Sequence, residues 1–268
     1  MIHRSKIVPP WLCAGLPLLL VAFPAAADET PICTDRPTKA NAVCTVPAGE
    51  LQIETDAVNW TTNRAGGARI DVILYTNPTL KLGLGHSTDV EISLPPLVES
   101  RTRTGAGVYV ARGSGDLLLR VKQRVTRAGA QAQLGLIPFV KVPTARRIGN
   151  GRWEGGIAIP VQFTLSRRTT LTFGPEIDIL ADGDGHGRHV QIVTLVNMSR
   201  TLSPRLTTYV ELWTAQNFDP TGTVRQYSID GAVSYWLSPT LQLDVGLNIG
   251  LNRATPDAQV YGGISARF

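Results

Sequence analysis

The stretch Leu241-Gln242-Leu243-Asp244-Val245-Gly246-Leu247-Asn248-Ile249-Gly250-Leu251-Asn252 alternates without a fault. Its odd-numbered positions are all aliphatic and its even-numbered positions are all polar or glycine. Successive side chains of a β-strand point to opposite faces, so the segment presents one wholly apolar and one wholly polar face. A helix would scatter both sets around its axis. The segment therefore reads as a strand held between two contrasting solvents.

The same two-residue period recurs along the chain. Val90, Ile92 and Leu94 alternate with Asp89, Glu91 and Ser93; Leu117, Leu119 and Val121 alternate with Leu118, Arg120 and Lys122. Ile157, Ile159, Val161, Phe163 and Leu165 form another apolar face, and Leu171, Phe173, Ile177 and Ile179 a further one. The last strand sets Val260, Gly262, Ile264, Ala266 and Phe268 against Tyr261, Gly263, Ser265 and Arg267. Between these runs, short turns near 85–87, 127–129, 166–168, 202–204 and 238–240 take turns with longer links near 61–67, 99–115, 144–151, 181–187, 216–223 and 253–256. This pattern predicts an all-β protein, a transmembrane up-and-down antiparallel β-barrel of about twelve strands, with short periplasmic turns, longer outside loops and both termini on the periplasmic side. A soluble sandwich or lipocalin-like barrel would use the apolar face as a core, but it would mix strand lengths and crossovers. Long, evenly spaced strands favour the membrane barrel.

At the N-terminus, Arg4 and Lys6 precede a mostly apolar run, and Ala25-Ala26-Ala27 stands before Asp28. Residues 1–27 read as a secretory signal peptide; Cys13, preceded by Pro10-Trp11-Leu12, lacks the small residues of a lipoprotein site and leaves with it. Residues 28–48 are assigned to an N-terminal periplasmic segment and 49–268 to the outer-membrane β-barrel. The 268-residue chain carries a formal charge of +5, and +3 without Arg4 and Lys6, spread along the sequence. Nothing resembles a nucleic-acid footprint. Cys33 and Cys44 are candidates for a disulfide in an oxidising compartment, although sequence does not place their sulfurs.

Several short motifs carry a family likeness in shared order. They are Thr34-Asp35-Arg36-Pro37, the run from Val46 to Asp56, Gly115-Asp116 ahead of Lys122, Lys141-Val142-Pro143-Thr144, Tyr209-Val210-Glu211-Leu212, Leu241-Gln242-Leu243-Asp244, Gly250-Leu251-Asn252 and the terminal Ser265-Ala266-Arg267-Phe268. Over nearly the whole mature chain, this resembles the outer-membrane barrel family named for the MetA pathway of phenol degradation. Ala145 stands where the family usually has glycine. The resemblance implies an outer-membrane channel or transporter for small hydrophobic or aromatic solutes.

If the aliphatic faces meet lipid, the opposite faces line the lumen. The candidate lining residues are the acids Glu54, Glu91, Glu176, Asp178, Glu211 and Asp244 and the bases Arg120, Lys122, Arg124 and Lys141. Opposed rows of charge set a transverse field across a water-filled pore; the same rows could equally brace a barrel with little opening, since twelve strands fall between filled barrels and open porins. An outer-membrane barrel hydrolase is the third alternative. Acyl transfer needs a serine beside an oriented histidine, and His86, His186 and His189 have no such serine nearby in sequence. The loop Asp182-Gly183-Asp184-Gly185-His186-Gly187 lacks the closing acid of a calcium site and reads as a glycine-rich turn. No catalytic residue, metal or cofactor is assigned. Trp60, Trp153, Trp213, Tyr75, Tyr109, Tyr209, Tyr235 and Trp236 fall near strand ends and are expected in interfacial girdles. The expected partners are outer-membrane lipid, small-molecule solutes and the barrel assembly machinery, which would read the aromatic terminus Phe268.

Overall fold

The computed structural model describes residues 31–268; the signal-peptide assignment at 1–27 lies outside them. Among the described residues there is no helix, and seventeen strand segments form one antiparallel sheet. They compose twelve strands of a closed barrel. The first is β1 (Leu51–Ala65). The second combines β2 (Ala68–Thr76) and β3 (Thr79–Gly83), the third β4 (Thr88–Ser93) and β5 (Leu97–Thr104), and the fourth β6 (Gly107–Gly113) and β7 (Leu117–Arg124). β8 (Ala132–Val142) is the fifth. The sixth combines β9 (Glu154–Ala158) and β10 (Val161–Ser166), and the seventh β11 (Thr169–Phe173) and β12 (Glu176–Ala181). β13 (Arg188–Ser203), β14 (Leu206–Asn217), β15 (Val224–Ser238), β16 (Leu241–Gly250) and β17 (Ala258–Arg267) follow unbroken.

Four of the interruptions have a covalent cause. Pro78, the Pro95-Pro96 pair, Pro160 and Pro175 have no N–H to give to a ladder, so each strand breaks where its proline falls and resumes on the same course. The fourth strand breaks instead at Ser114-Gly115-Asp116.

β1 and β17 close the barrel, in register from Gln52 opposite Arg267 to Thr62 opposite Ala258 with one shift between Asp56 and Val58. The terminal residue completes the seam: the Phe268 N–H donates to Leu51 O at 2.8 Å and Leu51 N–H donates to Phe268 O at 3.1 Å. Closure leaves no sheet edge in the hydrocarbon, where an unpaired backbone group would cost several kcal/mol.

Two of the links expected to be long are strand. Residues 61–67 and 99–115 form most of two hairpins, β1–β2 and β5–β6, that turn tightly at Gly66-Gly67 and Gly105-Ala106. Their arginines and threonines look like loop composition, yet the backbone ladder persists to the tip: Ala65 opposes Ala68, and Thr104 opposes Gly107.

The interior is polar and the exterior apolar, the inverse of a soluble protein. On β16, Leu243, Val245, Leu247 and Ile249 are exposed, while Gln242, Asp244 and Asn248 are buried. Replacing Leu247, 41% exposed, with arginine is expected to cost about 2–4 kcal/mol in a lipid-vesicle unfolding experiment. Asn248→Leu loses one hydrogen bond to Gln259 and should cost about 1 kcal/mol. A neutral Leu247→Arg variant would contradict the assignment of faces.

Candidate functional site: a lumen closed by its own N-terminal segment

Residues 31–50 do not hang below the barrel as a periplasmic segment; they thread its lumen. The chain enters beside the short turn between β15 and β16, where Ile32 N–H donates to Pro239 O at 2.7 Å, runs along the inner wall and returns. On the way back Val43 and Val46 are fully covered, and Ala48 bridges Gly83. A Cβ at Gly83 would lie 1.9 Å from Pro47 O, so glycine is what allows this docking. A disulfide joins Cys33 to Cys44, with Cα atoms 5.9 Å apart, and ties the outgoing limb of the segment to the returning one.

The physical reason for this placement is charge. Closing the sheet turns many carboxylates inward, and a buried charge needs a partner. The segment supplies three side chains that serve as partners. Arg36 bridges Asp56 and Asp244, donating to Asp244 from Nε at 3.1 Å and from Nη2 at 2.7 Å. Both acids lie in one cross-strand row on either side of Gly263, and the guanidinium rests where a Cβ at Gly263 would be. Lys39 Nζ donates to Asp230 at 2.6 Å and Ser228 at 2.8 Å and lies 4.5 Å from the Trp213 ring centre. Asp35 accepts from Lys81, and from Lys122 at 2.6 Å. Lys81 also meets Glu54 at 2.7 Å and Glu91 at 3.5 Å. Backbone groups complete the network: Glu211 accepts from Lys39 N–H at 3.2 Å and Ala40 N–H at 3.0 Å, and Asp89 accepts from Val46 N–H at 2.9 Å.

Half of the ten expected lumen residues are thus engaged by the plug. Glu54, Glu91, Glu211, Asp244 and Lys122 all contact the segment or a side chain bound to it. Arg124 is at the rim beside the turn between β3 and β4, donating to His86 O at 2.6 Å. The expected single row of Arg120, Lys122 and Arg124 facing acids across open water is therefore divided, because Lys122 turns to Asp35 and Arg124 to a turn. Above the plug remains a chamber of about 790 Å³. Arg120, Lys141 and Glu176 line it, and Asp178 beside it accepts from Gln191 at 2.8 Å. Lys141 pairs with Glu154 at 2.7 Å and Asp116 at 3.4 Å, and the inward-folded loop after β8 adds Ile148. Trp213, expected in a girdle, faces this chamber together with Leu118 and Leu195.

The residues missed by sequence reasoning are Asp35, Arg36 and Lys39. A signal existed: Thr34-Asp35-Arg36-Pro37 is dense in charge, and the inward acids had few inward bases to meet them. Among the described residues, no three His, Cys, Asp or Glu side chains are grouped to hold a metal ion. Asp182 instead accepts a hydrogen bond from His189 Nδ1 at 2.9 Å.

The fold and its lumen define a class: an outer-membrane β-barrel whose own N-terminal segment occupies one end of its interior. The family model described as "Putative MetA-pathway of phenol degradation" matches residues 34–268, and the chain belongs to that family. No curated protein matches the chain. An outer membrane channel from Pseudomonas putida F1 superposes with a TM-score of 0.69 at 15% identity, over 84% of this chain and 98% of that one. The NanC porin superposes at 0.53 with 9% identity, over 80% and 98% of the respective chains. The translocator domain of the autotransporter NalP from Neisseria meningitidis gives 0.52 with 13% identity, over 84% and 91%. These likenesses show the fold.

Burial opposes the ionisation of Asp35, but Lys122 and Lys81 together outweigh it and hold this carboxyl far below the usual carboxylate range. Such a group lends stability that is complete above its unfolded value, near 3.8, and lost as pH falls below it. The gap in unfolding temperature between the parent and Asp35→Asn, read by heat-modifiable electrophoretic mobility, should hold steady from neutral pH to about 5 and shrink below about 4. A gap that widened in acid would contradict the pairing.

Proposed function

We propose that the protein is an outer-membrane channel that admits small hydrophobic or aromatic solutes, without catalysing a reaction on them. The observation that carries this reading is the chamber above the plug. Its volume, about 790 Å³, suits a small molecule. Its lining mixes Trp213, Leu195, Leu118 and Ile148 with Arg120, Lys141 and Glu176. An indole face and aliphatic neighbours favour a flat apolar solute, and the charges orient its polar end. The family's description, which names phenol degradation, points to the same class. In this reading a solute waits in the chamber until the N-terminal segment yields.

Uptake of a small aromatic alcohol into liposomes carrying the purified barrel tests the reading. Uptake should exceed that of a sugar of similar mass and fall in Trp213→Ala. Equal, slow leakage of both solutes, unchanged in the variant, would favour the alternative of a purely structural plugged barrel, which the density of ion pairs on Asp35 and Arg36 supports.

The chamber also makes a prediction about ions. Of the three bases on β7, Arg120 lines the chamber, so Arg120→Gln should move the reversal potential in a salt gradient toward cation selectivity, most visibly at low salt. Arg124→Gln, at the periplasmic rim, should leave it nearly unchanged. The reverse ranking would contradict the placement of the plug.

A further inference from the structure

The two hairpins that extend the wall at its outer end carry a second concentration of charge, on the opposite surface of the sheet from the lumen. Directly opposed residues in an antiparallel pair share a face, so register assigns the side. Trp60 opposes Val260, an exposed wall residue, and the alternation carries Thr62 and Arg64 to the same outer face. Register then extends the outer face across three more segments in rows. Nearest the tip are Arg64, Arg69, Arg103 and Val108; below them come Thr62, Asp71, Arg101 and Val110; below those come Trp60, Ile73, Glu99 and Arg112.

Five arginines and two carboxylates thus face outward in one patch, a net charge of +3. The acids are saturated. Asp71 accepts from Arg69 at 3.2 Å, from Arg103 and from Trp60 at 3.1 Å; Glu99 accepts from Arg101 at 2.5 Å and Arg112 at 2.6 Å. Both carboxylates are covered although they stand outside the barrel, because arginine side chains fold over them. Arg64 has no carboxylate partner among the described residues. Arg64, Arg69 and Arg103 occupy consecutive cross-strand positions, where like charges repel, and the single charge of Asp71 is shared by the last two only. These three and the Gly66-Gly67 turn line an open cleft of about 330 Å³.

The patch also lies at a particular depth. Below it the outer face is apolar, with Val58, Leu80, Leu82 and Leu97 exposed. Trp60 marks the transition, as interfacial tryptophans do. Arg64 is four residues beyond Trp60, about 13 Å along the strand and roughly 10 Å along the membrane normal at the usual tilt. That is headgroup depth on the outer leaflet. Guanidinium groups bind phosphate oxygens bidentately, and several converging on one cleft match a polyanionic group.

We propose that this outer face is a binding site for a phosphorylated lipid headgroup of the outer leaflet, its phosphate seated among Arg64, Arg69 and Arg103 and its acyl chains lying along the apolar wall below Trp60. Phosphate supplies the countercharge that Arg64 lacks and that Asp71 alone divides between Arg69 and Arg103, and the chains supply burial that a free anion would not. The site belongs to the lipid side of the wall and is independent of what passes through the lumen.

The experiment is native mass spectrometry of the full barrel in detergent, titrated with lipid A, with the same lipid after removal of its phosphates, and with inorganic phosphate. Phosphorylated lipid A should bind; the dephosphorylated lipid and inorganic phosphate should each bind far more weakly. Arg64→Gln, which breaks no ion pair, should weaken lipid A binding about tenfold, and Arg64→Gln/Arg103→Gln further. Arg167→Gln/Arg168→Gln, at a turn on the opposite end, should bind like the parent. Equal binding of dephosphorylated lipid, equal binding of inorganic phosphate, or undiminished binding by folded Arg64→Gln would each overturn the proposal.

Discussion

A backbone crossing hydrocarbon can satisfy its N–H and C=O groups only on its own neighbours, and the pairing of β1 with β17 is what meets that demand here. Closing the sheet has a consequence for every side chain. Apolar residues must go outward and polar ones inward, so the protein's interior holds its charges instead of its oil. Acids such as Glu54, Asp56, Glu91, Glu211, Asp230 and Asp244 are then trapped in a narrow lumen. Leaving one such charge unpaired would cost several kcal/mol. The N-terminal segment answers that requirement with Arg36 and Lys39, with Asp35 on the two lysines Lys81 and Lys122, and with its own backbone N–H groups.

The same economy shapes the rest of the lumen. Where the segment reaches, the inner wall is cross-braced by ion pairs. Where it stops, near Lys39, the chamber opens, and there Trp213 and Leu195 share the lining with Arg120 and Glu176. The outer face obeys the complementary rule. It is apolar up to Trp60 and becomes densely cationic beyond it, where the surroundings change from hydrocarbon to headgroups.

The wall was legible in the sequence because a two-residue period is a direct record of two solvents. Leu241 to Ile249 states its faces residue by residue, and the alternation of turns and links gives the strand number. The hairpin tips were harder. Arg64, Gly66, Arg101 and Thr104 have loop composition, and only the register of their ladders shows that the strands continue; β propensity depends on such context more than on residue type. The plug was not legible. Residues 31–50 have no period, and their place is fixed by partners as distant in sequence as Asp244, which no local pattern encodes. Trp213 was read as a girdle residue because position near a strand end does not say which face an aromatic takes.

The relation between segment and lumen is tested most directly by single-channel conductance of the refolded barrel with and without residues 28–48, both shown to be folded by their heat-modifiable mobility. The intact protein is expected to pass little current, and the shortened one to give a large, steady ohmic conductance as water replaces the plug around Asp56, Glu91 and Asp244. Equal conductance from the two folded proteins would contradict the assignment of residues 31–50 as the element that closes the lumen.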